Sequence, residues 1–212
     1  MTAPDIKISP ITGPELIENL PALAALRIAV FREYPYLYDG DSKYEMRYLR
    51  TYSESPDSII VLATDGDQVI GASTAVPMRH APEEAREPFD GFGIDPDRVF
   101  YLGESVLYPQ YRGRGIGSRF FEERERHAER IGGFDYYAFC AVERAQDDPR
   151  RPIDYRSLHA FWQRRGYDRE PQLYTCFNWR EIGEAQESSK PMVFWLKPVG
   201  ANAASPAPES AD

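Results

Sequence analysis

Cysteine is nearly absent. Cys140 and Cys176 are the only two in 212 residues, with no CxxC pair and no Cys/His ligand spacing. A disulfide scaffold is therefore excluded, and with His80, His127 and His159 scattered along the chain no metal site is expected. Both cysteines lie in aromatic runs, YYAFCAV and LYTCFNW, which predicts buried strand thiols. Positive charge is also short, with Lys+Arg 25 against Asp+Glu 34 and a net charge of −9. A dedicated nucleic-acid binder normally carries the opposite balance. The acidity is compatible with a cationic substrate, although solubility alone is the better explanation of it. No apolar run is long enough for a bilayer, and MTAPDIKISPITGPE lacks the basic region and apolar core of a signal peptide. The expectation is a cytoplasmic protein. Residues 200–212 hold no Val, Ile, Leu, Met or aromatic side chain, so a disordered tail is expected after a single domain spanning 1–199.

What is present is a core. Hydrophobic residues make up 42% and aromatics 13%, including 14 Tyr and 11 Phe, which excludes general disorder. The patterning predicts a strand at Ile6–Ile11 and a helix from Pro14 to Arg32, with Leu16, Ile17, Leu20, Leu23, Leu26 and Val30 at helical spacing. An aromatic loop, Tyr34–Gly40, leads into a charged helix at Asp41–Tyr52. Ser58–Thr64 and Val69–Val76 read as strands joined by the hairpin signal Asp65-Gly66-Asp67. A proline-broken excursion occupies Met78–Asp97. A strand at Val99–Tyr108, a helix at Gly113–Arg130 and a strand at Asp135–Val142 follow. A helix at Tyr155–Arg165 and strands at Tyr174–Ile182 and Pro191–Lys197 complete an α/β order. The crossover at 99–142 should be right-handed and its two strands parallel.

The strand at 99–108 runs into a glycine-rich turn. Gly113, Gly115 and Gly117 remove side chains where a ligand must approach the backbone. The amides opening the next helix lack intrahelical acceptors, and the helix dipole adds positive potential there. A phosphate or pyrophosphate suits such a place, with Arg112, Arg114 and Arg119 around it. A P-loop is excluded because no Gly-Lys-Ser/Thr ending exists, and the dinucleotide fingerprint fails because Ser118 stands where glycine is needed. No G-x-S-x-G elbow is present either.

Arg112-Gly113-Arg114-Gly115-Ile116-Gly117 resembles the R/Q-x-x-G-x-G/A signature of the GNAT acetyltransferase superfamily. Val106-Leu107-Tyr108-Pro109 is similar to the family's approach to that turn, and Leu158–Tyr167 to its late helix ending in Gly-Phe/Tyr. The element order agrees over about residues 5–197. The resemblance implies a mixed, mostly antiparallel sheet flanked by helices, with the parallel pair at 99–108 and 135–142 splayed apart. It implies acetyl-CoA as cosubstrate, its pyrophosphate on Arg112, Gly113, Arg114, Gly115, Ile116, Gly117 and Ser118. Its pantetheine arm would pair with the backbone of Val106, Leu107 or Tyr108. It implies direct attack on the thioester by an amine, from a small molecule or a peptide, and it is compatible with a homodimer.

Glu104 is the candidate base. Strand alternation places it beside Phe100, Leu102, Val106 and Tyr108, a mostly apolar row in which a carboxylate loses water, whereas a kink would turn it to solvent. The resemblance implies that this strand is often bulged, which would break that alternation. Ser105 is a companion hydrogen-bonder. Relatives often carry the acid Tyr four residues before the Gly-Phe ending, where this chain has Trp162. Indole supplies no useful proton, so Tyr155, on the same predicted helix, takes the role of candidate acid, with His159 behind it. Tyr36, Tyr38 and Asp39 are the candidate acceptor-binding residues, since aromatic faces and carboxylates suit a cationic or polar molecule. The acceptor site is expected between the early helices, the 78–97 excursion and the last strands. The charged run Glu122–Arg130 reads as a solvated helix face with a Glu122–Arg126 pair. The alternatives are a non-catalytic acyl-CoA-binding module and an unrelated nucleotide-binding protein.

Overall fold

A computed structural model describes residues 5–13 and 15–200. The predicted helix start at Pro14 and nearly all of the predicted tail lie outside the described residues. The strands are β1 (Ile6–Ile11), β2 (Ile59–Asp65), β3 (Gln68–Pro77), β4 (Val99–Tyr101), β5 (Ser105–Leu107), β6 (Tyr136–Val142), β7 (Asp168–Trp179) and β8 (Ser188–Pro198). The helices are α1 (Glu15–Phe31), α2 (Ser42–Glu54), α3 (Glu83–Arg86), α4 (Ile116–Ile131) and α5 (His159–Arg164). The eight strands form one sheet in the order β1-β2-β3-β4-β6-β8-β7, with β5 also on β3. Every pairing is antiparallel except β4 with β6, as the crossover argument predicts.

Period-two alternation divides the core into two layers. Ile60 and Leu62 of β2 face the layer with Leu16, Leu20, Leu23 and Leu26 of α1, whereas Ile17, expected on that stripe, lies one position off it and is exposed. Ile59, Val61 and Ala63 face the layer with Phe120 and Phe121 of α4. The 78–97 excursion belongs to the α1 side: Ala85 and Phe89 are buried there, Phe89 meets Phe194 edge-on at 5.0 Å, and Thr175 Oγ1 donates to the carbonyl of Glu84.

Three expectations need correction. Helix α5 begins at His159 instead of Tyr155, because Tyr155 closes a turn onto the carbonyl of Pro152 and the Ser157 hydroxyl caps the amide of His159. Strand β7 begins at Asp168 and contains Pro171, which a strand tolerates at the sheet edge that β7 occupies. On that edge Cys176 is exposed, whereas Cys140 is buried.

The Glu122–Arg130 run is a solvated face only in part: Glu122, Arg126, Glu129 and Arg130 are exposed, but two of its charges turn inward. Arg124 is 1% exposed, and Glu125 accepts from Tyr167 Oη and Lys197 Nζ, both at 2.8 Å. Arg126 pairs with Glu123 instead of Glu122, and Glu122 faces Arg165 at 3.6 Å.

Candidate active site

The turn before α4 is built by two left-handed residues, Gly113 (φ 76°) and Gly115 (φ 79°), conformations that side chains resist. No heavy atom would lie within 4 Å of a Cβ at either position, so the backbone borders open space. A Cβ at Gly117 would meet Phe161 at an ordinary 3.7 Å, so packing does not demand glycine there. The first α4 bond runs from Arg119 N to the carbonyl of Gly115, and among the described residues no group accepts the amides of 113–118. Six neighbouring unpaired donors at a helix N-terminus fit a phosphate group. Arg112 crosses the turn: its Nε donates to the carbonyl of Leu107 at 3.2 Å, and its Nη2 pairs with Glu33 at 2.9 Å. Arg114 lies over the Tyr111 ring and donates to the carbonyl of Gln110.

The predicted strand at 99–108 is broken by a bulge. Val76 opposes Tyr101 and Ser73 opposes Ser105, so Thr74 and Ala75 face three residues, Leu102, Gly103 and Glu104. Gly103 N donates to the carbonyl of Thr74, and Thr74 N to that of Glu104, both at 3.0 Å. Glycine is required at 103, because a Cβ would stand 2.2 Å from Tyr52 Oη. The extra residue inverts the alternation. Phe100 and Leu102 face the α4 layer, while Val99, Tyr101 and Val106 face the α1 layer. Glu104 thus shares a face with Tyr101 and Val106, and the expectation that it aligns with Phe100 and Leu102 is overturned.

The bulge also opens the sheet. Leu102 N still donates to the carbonyl of Ala138 on β6, but β5 pairs with β3 alone. Glu104 and Tyr108 bond to β3, with Tyr108 N on the carbonyl of Ile70, which places Val106 in the same hydrogen-bonded row. Of the three candidate pantetheine positions, only Leu107 turns its backbone into the gap. Ser105 does the same.

The Glu104 side chain is 7% exposed and faces α1 and α2. Its Oε2 accepts from Tyr48 Oη at 3.3 Å, and Tyr48 Oη lies 3.1 Å from Tyr52 Oη. Its Oε1 is 2.6 Å from Arg27 Nη1, a close ionic approach without hydrogen-bond geometry. Arg27 also binds Glu45, which is 0% exposed, and lies over the Tyr48 ring at 4.4 Å. Burial acts to lower the pKa of Arg27, but Glu104, Tyr48 and Glu45 outweigh it and raise it well above the ordinary value. One guanidinium therefore serves two buried carboxylates. None of this trio except Glu104 was named from the sequence.

The aromatic loop between α1 and α2 closes over this cluster. Burial raises the pKa of the Tyr36 phenol, with Cys140, Glu104 and Tyr155 adding to the effect. Burial and then Glu45 raise that of Tyr38. The loop is tied down by Arg144, which donates to the carbonyls of Pro35 and Tyr36 and pairs with Glu181, and by Trp179 Nε1 on the carbonyl of Tyr36. Asp39 turns to the rim, where Arg180 (2.8 Å) and Arg32 (3.4 Å) neutralise it. Tyr155 sits in the loop before α5, edge-on to Tyr34 at 4.7 Å with Arg151 over its ring. The structure thus gathers Glu104, Tyr36, Tyr38 and Tyr155 on one side and leaves Asp39 outside. Trp162 packs on the opposite face, against Phe139 and Trp195. His159 stacks there too, and burial lowers its pKa. Two surface depressions, one lined by Glu87, Phe92 and Tyr174 and the other by Gly13, Asp57 and His127, lie away from the splay.

The model of the acetyltransferase (GNAT) family matches residues 23–167, which contain the bulge, the splay and the glycine turn. The chain belongs to the GNAT family. Solved structures agree with this GNAT fold at low identity. An acetyltransferase from Thermus thermophilus is 14% identical (TM-score 0.55) and covers 94% of this chain and 100% of its own. A ribosomal-protein-alanine N-acetyltransferase from Brucella melitensis is 17% identical (TM-score 0.58; 91% and 99%). Arabidopsis thaliana NAA60 in complex with acetyl-CoA is 14% identical (TM-score 0.57; 92% and 98%). No curated protein matches this GNAT chain. Among its described residues no His/Cys/Asp/Glu group could hold a metal ion, and no helix is long and apolar enough to cross a membrane.

Proposed function

We propose that this GNAT protein transfers an acetyl group from acetyl-CoA to a primary amine by direct attack, without an acyl-enzyme. The observation that carries the reading is the run of unpaired amides from Gly113 to Ser118 beside an open sheet gap, a phosphate cradle continuous with a slot for an extended arm. The pyrophosphate rests on the turn, and Arg112 exchanges Glu33 for it. The pantetheine follows β5 from Leu107 towards the bulge, which brings the thioester to Ser105 and Glu104. The amine enters from the α1–α2 side, between Tyr36, Tyr38 and Tyr48. Glu104 takes its proton through one hydrogen bond or a bridging water, and proximity supplies much of the remaining acceleration. A neighbour bound to acetyl-CoA supports the cosubstrate. The packing of Trp162 in the aromatic stack favours a second reading, a module that binds acyl-CoA without turnover.

Coenzyme A should raise Tm in proportion to ln(1+[L]/Kd). Gly115→Glu should abolish the shift by placing bulk and negative charge at the phosphate. Free-thiol release from acetyl-CoA across a panel of amines separates enzyme from binding module. Equal stabilisation of the wild type and a folded Gly115→Glu protein would overturn the cofactor assignment.

A further inference from the structure

Buried arginines normally meet carboxylates. Arg124 is buried at 1% exposure, yet among the described residues no carboxylate lies within ion-pair distance of it. Its hydrogen bonds all converge on the bulge or its own helix. Nη1 donates to the carbonyls of Thr74 and Glu104 at 3.2 Å, Nη2 to Ser105 Oγ at 2.9 Å, and Nε to the carbonyl of Phe120 at 3.0 Å. Burial lowers its pKa to about 10, which leaves it cationic at neutral pH. The two carbonyls are those that already accept the cross-strand bonds of the bulge, so Arg124 grips the irregularity from behind.

Ser105 is the outlet of that charge. The residue is exposed at the splay, and its Oγ is held as an acceptor by Arg124, so its own proton points away from the guanidinium. No group among the described residues accepts that proton. The bulge places Glu104 and Ser105 on opposite faces of one strand. Glu104 looks towards α1 and α2, and Ser105 towards α4, whose N-terminal turn forms the phosphate cradle. An arm running from that turn back along Leu107 brings its far end to Ser105.

We infer that Ser105, polarised by the buried cation of Arg124, is the hydrogen-bond donor to the sulfur of the departing coenzyme A. The assignment rests on the acetyl-transfer reading above. In the step it serves, the amine nitrogen forms the C–N bond and the tetrahedral intermediate collapses. The C–S bond breaks with its electron pair on sulfur, and the amine proton goes to Glu104. Ser105 stabilises the thiolate by its O–H, keeps its own proton, and solvent protonates the sulfur afterwards. Arg124 is a positioning residue acting through Ser105. This answers the loss of an acid at Trp162 with a group on the strand instead of the late helix.

The test uses coenzyme A bound to the full chain and reads thiolate absorbance in the ultraviolet against pH, so no acceptor amine is needed. A donor at the sulfur favours the thiolate, so the bound thiol should ionise about one pH unit or more lower in the wild type than in Ser105→Ala. Ser105→Thr should restore the wild-type titration, and its near-isostere Ser105→Val should not. With an accepting amine, Ser105→Ala should lower kcat about ten-fold or more while KM for acetyl-CoA changes little. Identical thiol titrations in wild type, Ala and Thr proteins would overturn the assignment while leaving the acetyl-transfer reading intact. Failure of coenzyme A to bind the wild type would overturn that reading itself, and this assignment with it.

Discussion

Three charged side chains sit on helical stripes that are otherwise apolar: Arg27 after Leu16, Leu20 and Leu23, Glu45 before Leu49 and Tyr52, and Arg124 after Ile116 and Phe120. At spacings of three and four, each had to enter the core with its helix face. That signal is legible in the sequence but passes for ordinary helix charge, because a stripe shows that a residue is buried but not which distant partner meets it. Arg27 finds Glu45 and Glu104, whereas Arg124 finds carbonyls and a hydroxyl. Arg27→Met should therefore destabilise the protein by about 3–5 kcal/mol, the usual cost of leaving buried charge without its counter-ion. Adding Glu45→Gln should recover part of the loss. Urea unfolding of the single and double variants checks this, and a double variant no more stable than Arg27→Met would refute the shared-cation account.

The elements explain why the candidate site was only partly legible. The glycine turn was readable because two left-handed residues before a helix leave a direct composition signal in Gly113 and Gly115. The bulge was legible only through the family resemblance and not from the pattern, since one inserted residue changes the facing of everything after it without changing the strand's composition. Gly103 was the trace of it. Tyr155 was misplaced for a similar reason: a helical pattern does not show where a loop residue such as Ser157 caps the helix. The elements also couple the two proposed substrate sides, since Arg112 of the turn pairs with Glu33 of the segment that leads into the aromatic loop. Both side chains are partly exposed, so the pair is weak by itself. It nevertheless occupies the cation proposed above to meet the pyrophosphate. Glu33→Gln should tighten coenzyme A binding a few-fold at low ionic strength, with the difference fading as salt rises. An unchanged Kd by titration calorimetry at low salt would contradict the competition.

At the scale of the molecule, the single parallel pairing follows from the β-α-β crossover and was anticipated. The long-range tie was not: Glu181 beyond β7 gathers Arg144 and Arg150 from the loop after β6 and lies 3.4 Å from Lys190 of β8. Burial pushes the Glu181 carboxyl up, but the arginines outweigh it and the net shift is downward. Lys190 holds Glu184, and Arg150 holds Asp148, each at about 2. Carboxyls depressed on folding stabilise the protein above their unfolded pKa values and lose that contribution as pH falls through the folded ones. Tm should therefore drop between about pH 4.5 and pH 2, and Glu181→Gln should start lower and drop less. Parallel Tm profiles for the two proteins would remove the cluster from the acid response.

The aromatic loop and the bulge meet at Glu104, so the pH dependence of Glu104→Gln tests the proposed acetyl transfer most directly. Glutamine keeps the shape and much of the bonding to Tyr48 but accepts no proton. Turnover of an accepting amine should fall roughly 10²–10⁴-fold, the range for losing a general base, with coenzyme A affinity nearly unchanged. The residual rate should rise with pH as more of the amine is already neutral. A Glu104→Gln protein with wild-type kcat/KM across about pH 6–9 would contradict the account.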